Sequence, residues 1–168
     1  MLIAFILLVS LLQAPEKQTL PGATKVTRVD ATVMCGGATT SEAFPEIKKL
    51  GFTSIINLRP DGEPGVDIAA ARTAAASAGL QYVHVPVHPA QPSSESVEAF
   101  LKAVTDPANQ PMYIHCGSAN RVAALWMIKR VAVDNWELER ASDEARAIGL
   151  TSPGLKKFAL DYLESRRR

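Results

Sequence analysis

Residues 112–130 read MYIHCGSANRVAALWMIKR, and the way this stretch divides decides how the rest of the chain is read. MYIH is a short apolar run, as suits a strand buried on both faces. Gly117, Ser118 and Ala119 are small enough for a tight loop. Residues 120–133 favour helix. A strand, a sharp loop and a helix in that order turn successive backbone N–H groups inward, and the helix aims its positive end at the same spot. Cys116 stands at the loop entrance and Arg121 in the first helical turn. An Arg placed there binds two oxygens of a phosphate at once. The positive partial charges favour a thiolate, and a thiolate beneath a bound phosphate is set for in-line attack. A lone buried Cys is usually a small core residue. Cys and Arg together at a strand-to-helix turn, behind His115, point instead to a nucleophilic anion site.

Outward from this stretch, strand and helix signals alternate. Residues 26–34 read as one strand, ended by Gly36 and Gly37. Residues 41–50 read as a helix capped by Ser41, with Phe44, Ile47 and Leu50 on one face. TSIINL, residues 53–58, is a β-branched buried strand, and RPDGEPG after it is a loop. Residues 66–78 are helical, 82–87 a strand and 94–105 a helix. Helices are expected over 120–133, 136–148 and 154–166. This alternation predicts an α/β fold: a mainly parallel central sheet of four to five strands flanked by helices in three layers. In such sheets the site lies at the carboxyl ends of the strands. Cys35–Gly37, Asn57–Arg59, His88 and Cys116 therefore belong to one edge.

The chain has 168 residues, a formal net charge of +1 and a mean hydropathy of +0.05. That suits one globular domain, and no broad basic field invites nucleic acid. Two Cys and three His give neither a disulfide framework nor the usual cysteine pairs of a structural zinc site. No metal and no cofactor is expected. MLIAFILLVSLL at the start has the length of a signal-peptide apolar core and is short for a lone bilayer span. Residues 1–14 are thus expected to be a signal peptide or N-terminal anchor, 15–25 a linker and 26–168 the domain. The protein is expected to be exported, periplasmic or secreted, with no stable membrane span once the leader is removed.

Three segments carry a family resemblance: CGGATTSEAFPEIKKLGFTSIINLRPDGE (35–63), LQYVHVPV (80–87) and MYIHCGSANRVAALWMIKR (112–130). In them the chain resembles the cysteine-dependent protein tyrosine and dual-specificity phosphatases. It resembles more closely the bacterial beta-lactamase hydrolase-like family of phosphatase-like domains. The resemblance implies phosphomonoester hydrolysis through a phosphocysteine intermediate, on a phosphorylated protein or a small phosphate ester. It implies Cys116 as nucleophile, Arg121 as phosphate clamp and His115 as support for the thiolate and loop. The backbone N–H groups of Gly117, Ser118, Ala119, Asn120 and Arg121 would form the phosphate cradle.

The chain departs from the wider superfamily in three places. Its loop is one residue shorter, with four residues between Cys116 and Arg121. Short cysteine loops also serve rhodanese-like sulfurtransferases and persulfide carriers, which is the alternative function. Val122 follows Arg121 where a hydroxyl residue is usual; Ser118, within the loop, is either its substitute or simply a small polar loop residue. The loop after the third expected strand, HPAQPSSE, has no Asp to act as general acid. His88 is the nearest candidate there, with Asp61 and Glu63 as second choices. A phosphate-binding module with little activity is the further alternative. Arg59 is either an extension of the anion site or a salt-bridge partner. Cys35 is either a buried thiol or the partner of Cys116 in a reversible disulfide.

Overall fold

The computed structural model describes residues 14–166. The expected leader, apart from Ala14, lies outside the described residues. The strands are β1 (Glu16–Gln18), β2 (Val26–Arg28), β3 (Val33–Gly36), β4 (Ser54–Asn57), β5 (Gln81–His84) and β6 (Met112–His115). The helices are α1 (Phe44–Lys49), α2 (Ile68–Ser77), α3 (Ser94–Thr105), α4 (Asn120–Ala132), α5 (Leu138–Ile148) and α6 (Pro153–Ser165). The six strands form one sheet in the order β1-β2-β3-β6-β4-β5. β3, β6, β4 and β5 are parallel, and β1 and β2 add an antiparallel edge.

Two expectations are corrected here. The single strand over 26–34 is two strands joined by a turn, because the Asp30 carboxylate accepts from the Thr32 and Val33 N–H groups and the Thr32 hydroxyl. An aspartate bonding the backbone two residues on is a turn former that the apolar pattern masks. The expected linker holds β1 and the buried Leu20. Lys17 secures that edge by donating to the Ala147 carbonyl at the end of α5 (2.6 Å). The sheet therefore has six strands rather than four to five. Elsewhere β6 and α3 fall where the pattern put them. The Ser93 hydroxyl, in a reciprocal box with Ser96, starts α3.

Side chains alternate across the sheet with the period of a strand. Met34, Ile55 and Tyr113 pack with Phe44, Ile47 and Phe52 on the α1–α2 face. Cys35, Ile56 and Ile114 face the other way, into the larger core with Phe100, Trp126 and Leu155. β6 has parallel neighbours on both sides, β3 and β4, so the Cys loop leaves from an interior strand of the sheet. Among the described residues no helix is long and apolar enough to cross a membrane.

Candidate active site

Four strand ends stand in one row: Gly36, His115, Asn57 and His84 are register partners across β3, β6, β4 and β5. The chain turns just beyond that row, and the expected site residues emerge there. Cys116 follows β6 directly, is fully buried, and donates its N–H to the Gly36 carbonyl. Gly36 has to be glycine, since a Cβ there would lie 2.0 Å from the Tyr113 hydroxyl. That hydroxyl bonds Thr39 on the loop after β3 (2.8 Å).

Gly117 and Ser118 reach the surface, while Ala119 is buried. Ala119 adopts φ 67° and ψ −11° at the N-cap of α4. The left-handed conformation costs an L-residue about 1–2 kcal/mol. It also curls the neighbouring N–H groups toward a common point, as an anion nest requires. Asn120 has a second role beside the backbone N–H expected of it in the cradle. Its side-chain Oδ1 accepts from the N–H groups of Thr151 (2.8 Å) and Ser152 (2.7 Å), and its Nδ2 donates to the Ser118 hydroxyl (3.3 Å). The side chain thus braces the Cys loop against the α5–α6 connection, leaving only its backbone N–H for the cradle.

Arg121 is 5% exposed. Its Nη1 donates to Glu63 Oε2 (2.8 Å) and to the Val87 carbonyl (3.0 Å), and its Nη2 to Glu63 Oε1 (3.0 Å). Arg59 Nε donates to the same Oε1 (2.8 Å). One carboxylate thus bridges two guanidiniums. The Arg121 hydrogen bond is the largest cause holding the Glu63 carboxyl below its ordinary value of 4.5; Arg59 adds to it, and partial burial opposes both. Glu63 takes the Nη1–Nη2 edge of the fork. Nη2 lies 3.1 Å from where a Cβ on Gly117 would sit, so the fork borders the Cys loop. The guanidinium also faces the Cys116 sulfur.

His115 is buried to 3% exposure, and neither ring nitrogen has a hydrogen-bond partner. It stacks on Tyr113 with ring centroids 6.0 Å apart. Burial, then the Arg59 charge, pushes its pKa from 6.5 down to about 3, so the ring is neutral. His88 is exposed on the loop after β5, beside the Val87 carbonyl that holds Arg121. Asp61 is exposed on its turn; Glu63, two residues on, is the carboxylate that reaches the site, as a clamp on Arg121. His84, absent from the expected set, bonds the Arg59 carbonyl through Nε2 (2.8 Å).

Cys35 does not sit beside Cys116. Both thiols are free, and Cys35 pairs in register with Ile114, two residues short of the nucleophile position. Two residues along a strand and one strand across place the Cα atoms about 8 Å apart, beyond the roughly 7 Å a disulfide spans. Burial, the largest cause, pushes the Cys35 thiol pKa well up, which disfavours the thiolate that exchange needs.

The family model "Beta-lactamase hydrolase-like protein, phosphatase-like domain" matches residues 29–133. A beta-lactamase hydrolase-like protein of Xylella fastidiosa strain Temecula1 is 33% identical over 129 residues, 74% of this chain and 28% of the relative. The chain thus spans under a third of the relative it matches. Among solved structures, the core catalytic domain of the PP-IP phosphatase SIW14 from S. cerevisiae, in complex with citrate, has a TM-score of 0.68 at 21% identity. It covers 89% of this chain and 96% of that one. A Cys-to-Ser variant of P. aeruginosa TpbA in complex with pTyr has a TM-score of 0.61 at 15% identity, over 87% and 96%. At these identities the likeness is one of fold.

Proposed function

Since this chain belongs to the beta-lactamase hydrolase-like family of phosphatase-like domains, we propose that it hydrolyses phosphate monoesters through Cys116. The observation that carries this reading is the bridged guanidinium: Glu63 holds the Nη1 and Nη2 ends of Arg121, and Nη2 borders the Cys loop at Gly117. A phosphate seated on the loop N–H groups and the Arg121 fork would have its phosphorus above the Cys116 sulfur. The thiolate attacks phosphorus, the S–P bond forms, and the P–O bond to the alcohol breaks. His88 gives the departing oxygen its proton. Water then attacks the phosphocysteine, its proton returns to His88, and inorganic phosphate leaves as the thiolate is restored. Charge developing on the phosphoryl oxygens is met by fixed donors that need no reorganisation.

His115 acts as a positioning residue. A neutral ring packed under the loop adds no positive charge of its own and fills the space that fixes where Cys116 begins. The substrate is proposed as a phosphorylated protein or a small phosphate ester.

The test is hydrolysis of 4-nitrophenyl phosphate by wild type and by Cys116→Ser, with EDTA present, beside a thiosulfate–cyanide assay on the same samples. Phosphate release that disappears with Cys116 is the expected result. Thiocyanate formation without phosphate release would replace this reading with sulfur transfer. Phosphate binding without any turnover would reduce the site to a binding module.

A further inference from the structure

Glu63 aims Arg121, yet no apolar packing holds Glu63 itself. It sits in a loop where none of residues 61–65 is buried. A segment without buried contacts belongs to the least stable part of a fold, and a carboxylate on it has no fixed direction of its own. Arg59 supplies the direction. Its Nε donates to Glu63 Oε1 (2.8 Å) and its Nη2 to the Pro64 carbonyl (2.6 Å). One planar guanidinium thus grips the side chain of Glu63 and the backbone of the next residue.

Arg59 is in turn fixed from both sides. Its N–H donates to Asn57 Oδ1 (2.9 Å), and its carbonyl accepts from His84 Nε2 (2.8 Å). Asn57 is buried, and its Nδ2 donates to the Tyr82 hydroxyl (2.8 Å). Asn57 and His84 are register partners at the ends of β4 and β5. A chain of hydrogen bonds therefore runs from the edge strand β5 through Arg59 and Glu63 to Arg121 on α4. Beside Gly117, Arg121 Nη2 and Glu63 Oε1 both lie 3.1 Å from where a Cβ would sit, and Arg59 Nε lies 4.0 Å away. An anion on the loop at this point meets Arg121 and the carboxylate before it meets Arg59 Nε.

Resting on the phosphatase reading, we propose that Arg59 is a positioning residue: it does not touch the phosphate, and it sets the aim of Arg121 through Glu63. Of the two roles open to Arg59 in the sequence, this is the salt-bridge partner rather than an extension of the anion site. The shape of the guanidinium matters as much as its charge. Lysine has one ammonium in place of the fork and cannot hold the carboxylate and the Pro64 carbonyl in one plane.

The experiment is a double-mutant cycle read in binding, so that it stands apart from turnover. Cys116→Ser protein, alone and carrying Arg59→Lys, Glu63→Ala or both, is titrated calorimetrically with inorganic phosphate. Arg59→Lys is expected to weaken binding about tenfold, as suits partners in one ion-pair network. In the Glu63→Ala background the same exchange is expected to cost nothing further. The acid loss of binding is a second readout. Arg121 first, and Arg59 after it, hold the Glu63 carboxyl below 4.5. Arg59→Lys is therefore expected to move that loss to higher pH, which a general loosening of the fold does not do. His84→Leu, which removes the donor to the Arg59 carbonyl and leaves the guanidinium in place, repeats the cycle should Arg59→Lys not fold. An equal loss in both backgrounds overturns the proposal, because Arg59 then acts on the anion directly. So does undiminished binding by Arg59→Lys, because charge alone then suffices. Coupling through Glu63 with no hydrolysis of 4-nitrophenyl phosphate by the wild type would overturn the phosphatase reading and leave the role of Arg59 standing.

Discussion

At the scale of single residues, the account turns on groups far apart in the chain that share one carboxylate. Glu63 reaches Arg121 across 58 residues, and Glu63→Gln keeps the shape while removing the charge. We expect kcat/KM to fall about tenfold or more, since a misaimed clamp costs orders of magnitude in rate. Its pH dependence has a definite sign. The Glu63 pKa is lowered, so the ion pair is intact above the ordinary value of 4.5. It is lost only as pH falls below that, through the depressed value. The acid loss of activity due to the clamp is therefore expected in wild type and absent in Glu63→Gln. His115 behaves differently. Its folded pKa of about 3 lies below the ordinary 6.5, so between those values the unfolded chain binds the extra proton. Stability is then full above 6.5 and drains away as pH falls toward 3, by up to about 1.4 kcal/mol per pH unit. Denaturation midpoints against pH check this: His115→Leu should show a flatter profile, and identical profiles would refute a buried neutral ring. Cys116 and Arg121 were legible in the sequence because their chemistry is local, five positions apart on one turn. Glu63 was legible only as a nearby acid. Its role as a clamp depends on the β4 and β6 ends lying side by side, which no spacing along the chain encodes.

At the scale of elements, the parallel strands and most helices follow from periodicity, because burial on both faces leaves a continuous apolar run. The N-terminal edge did not. A three-residue strand of Glu, Lys and Gln, all exposed, carries no apolar signal, and the Asp30 turn hides inside a run that reads as a single strand. The short side of the Cys loop was equally hidden. Asn120 looks like a helix-starting residue, yet its side chain ties two elements together. Asn120→Ala leaves the Thr151 and Ser152 N–H groups without their acceptor. Losing it should cost about 0.5–1.5 kcal/mol and raise KM for phosphate esters more than it lowers kcat, since the loop loses its brace rather than a reacting group. An unchanged melting midpoint together with an unchanged KM would show that the strut is dispensable.

At the scale of the whole molecule, the sheet separates two cores, and the site sits where both meet the central strand end. The larger core is closed off by a charge cluster: Glu144 accepts from Trp126 Nε1 and pairs with Arg130, which is packed against both Trp126 and Trp136. Breaking a pair so enclosed leaves a charge unpaired, which is why such networks persist as units. We also propose that residues 1–14 direct export, as a cleaved signal peptide or an anchor. Fractionating cells that express the full chain, with the mature N-terminus read by mass spectrometry, tests it; cytosolic protein retaining its first residues would contradict it. The central claim is that Cys116 carries the phosphoryl group. Its most direct test is acid quenching during turnover of 4-nitrophenyl phosphate, followed by peptide mass analysis. The account predicts one phosphoryl adduct on the Cys116 peptide of the wild type and none in Cys116→Ser. Turnover that persists in Cys116→Ser at the wild-type rate, with no adduct in either protein, would contradict it.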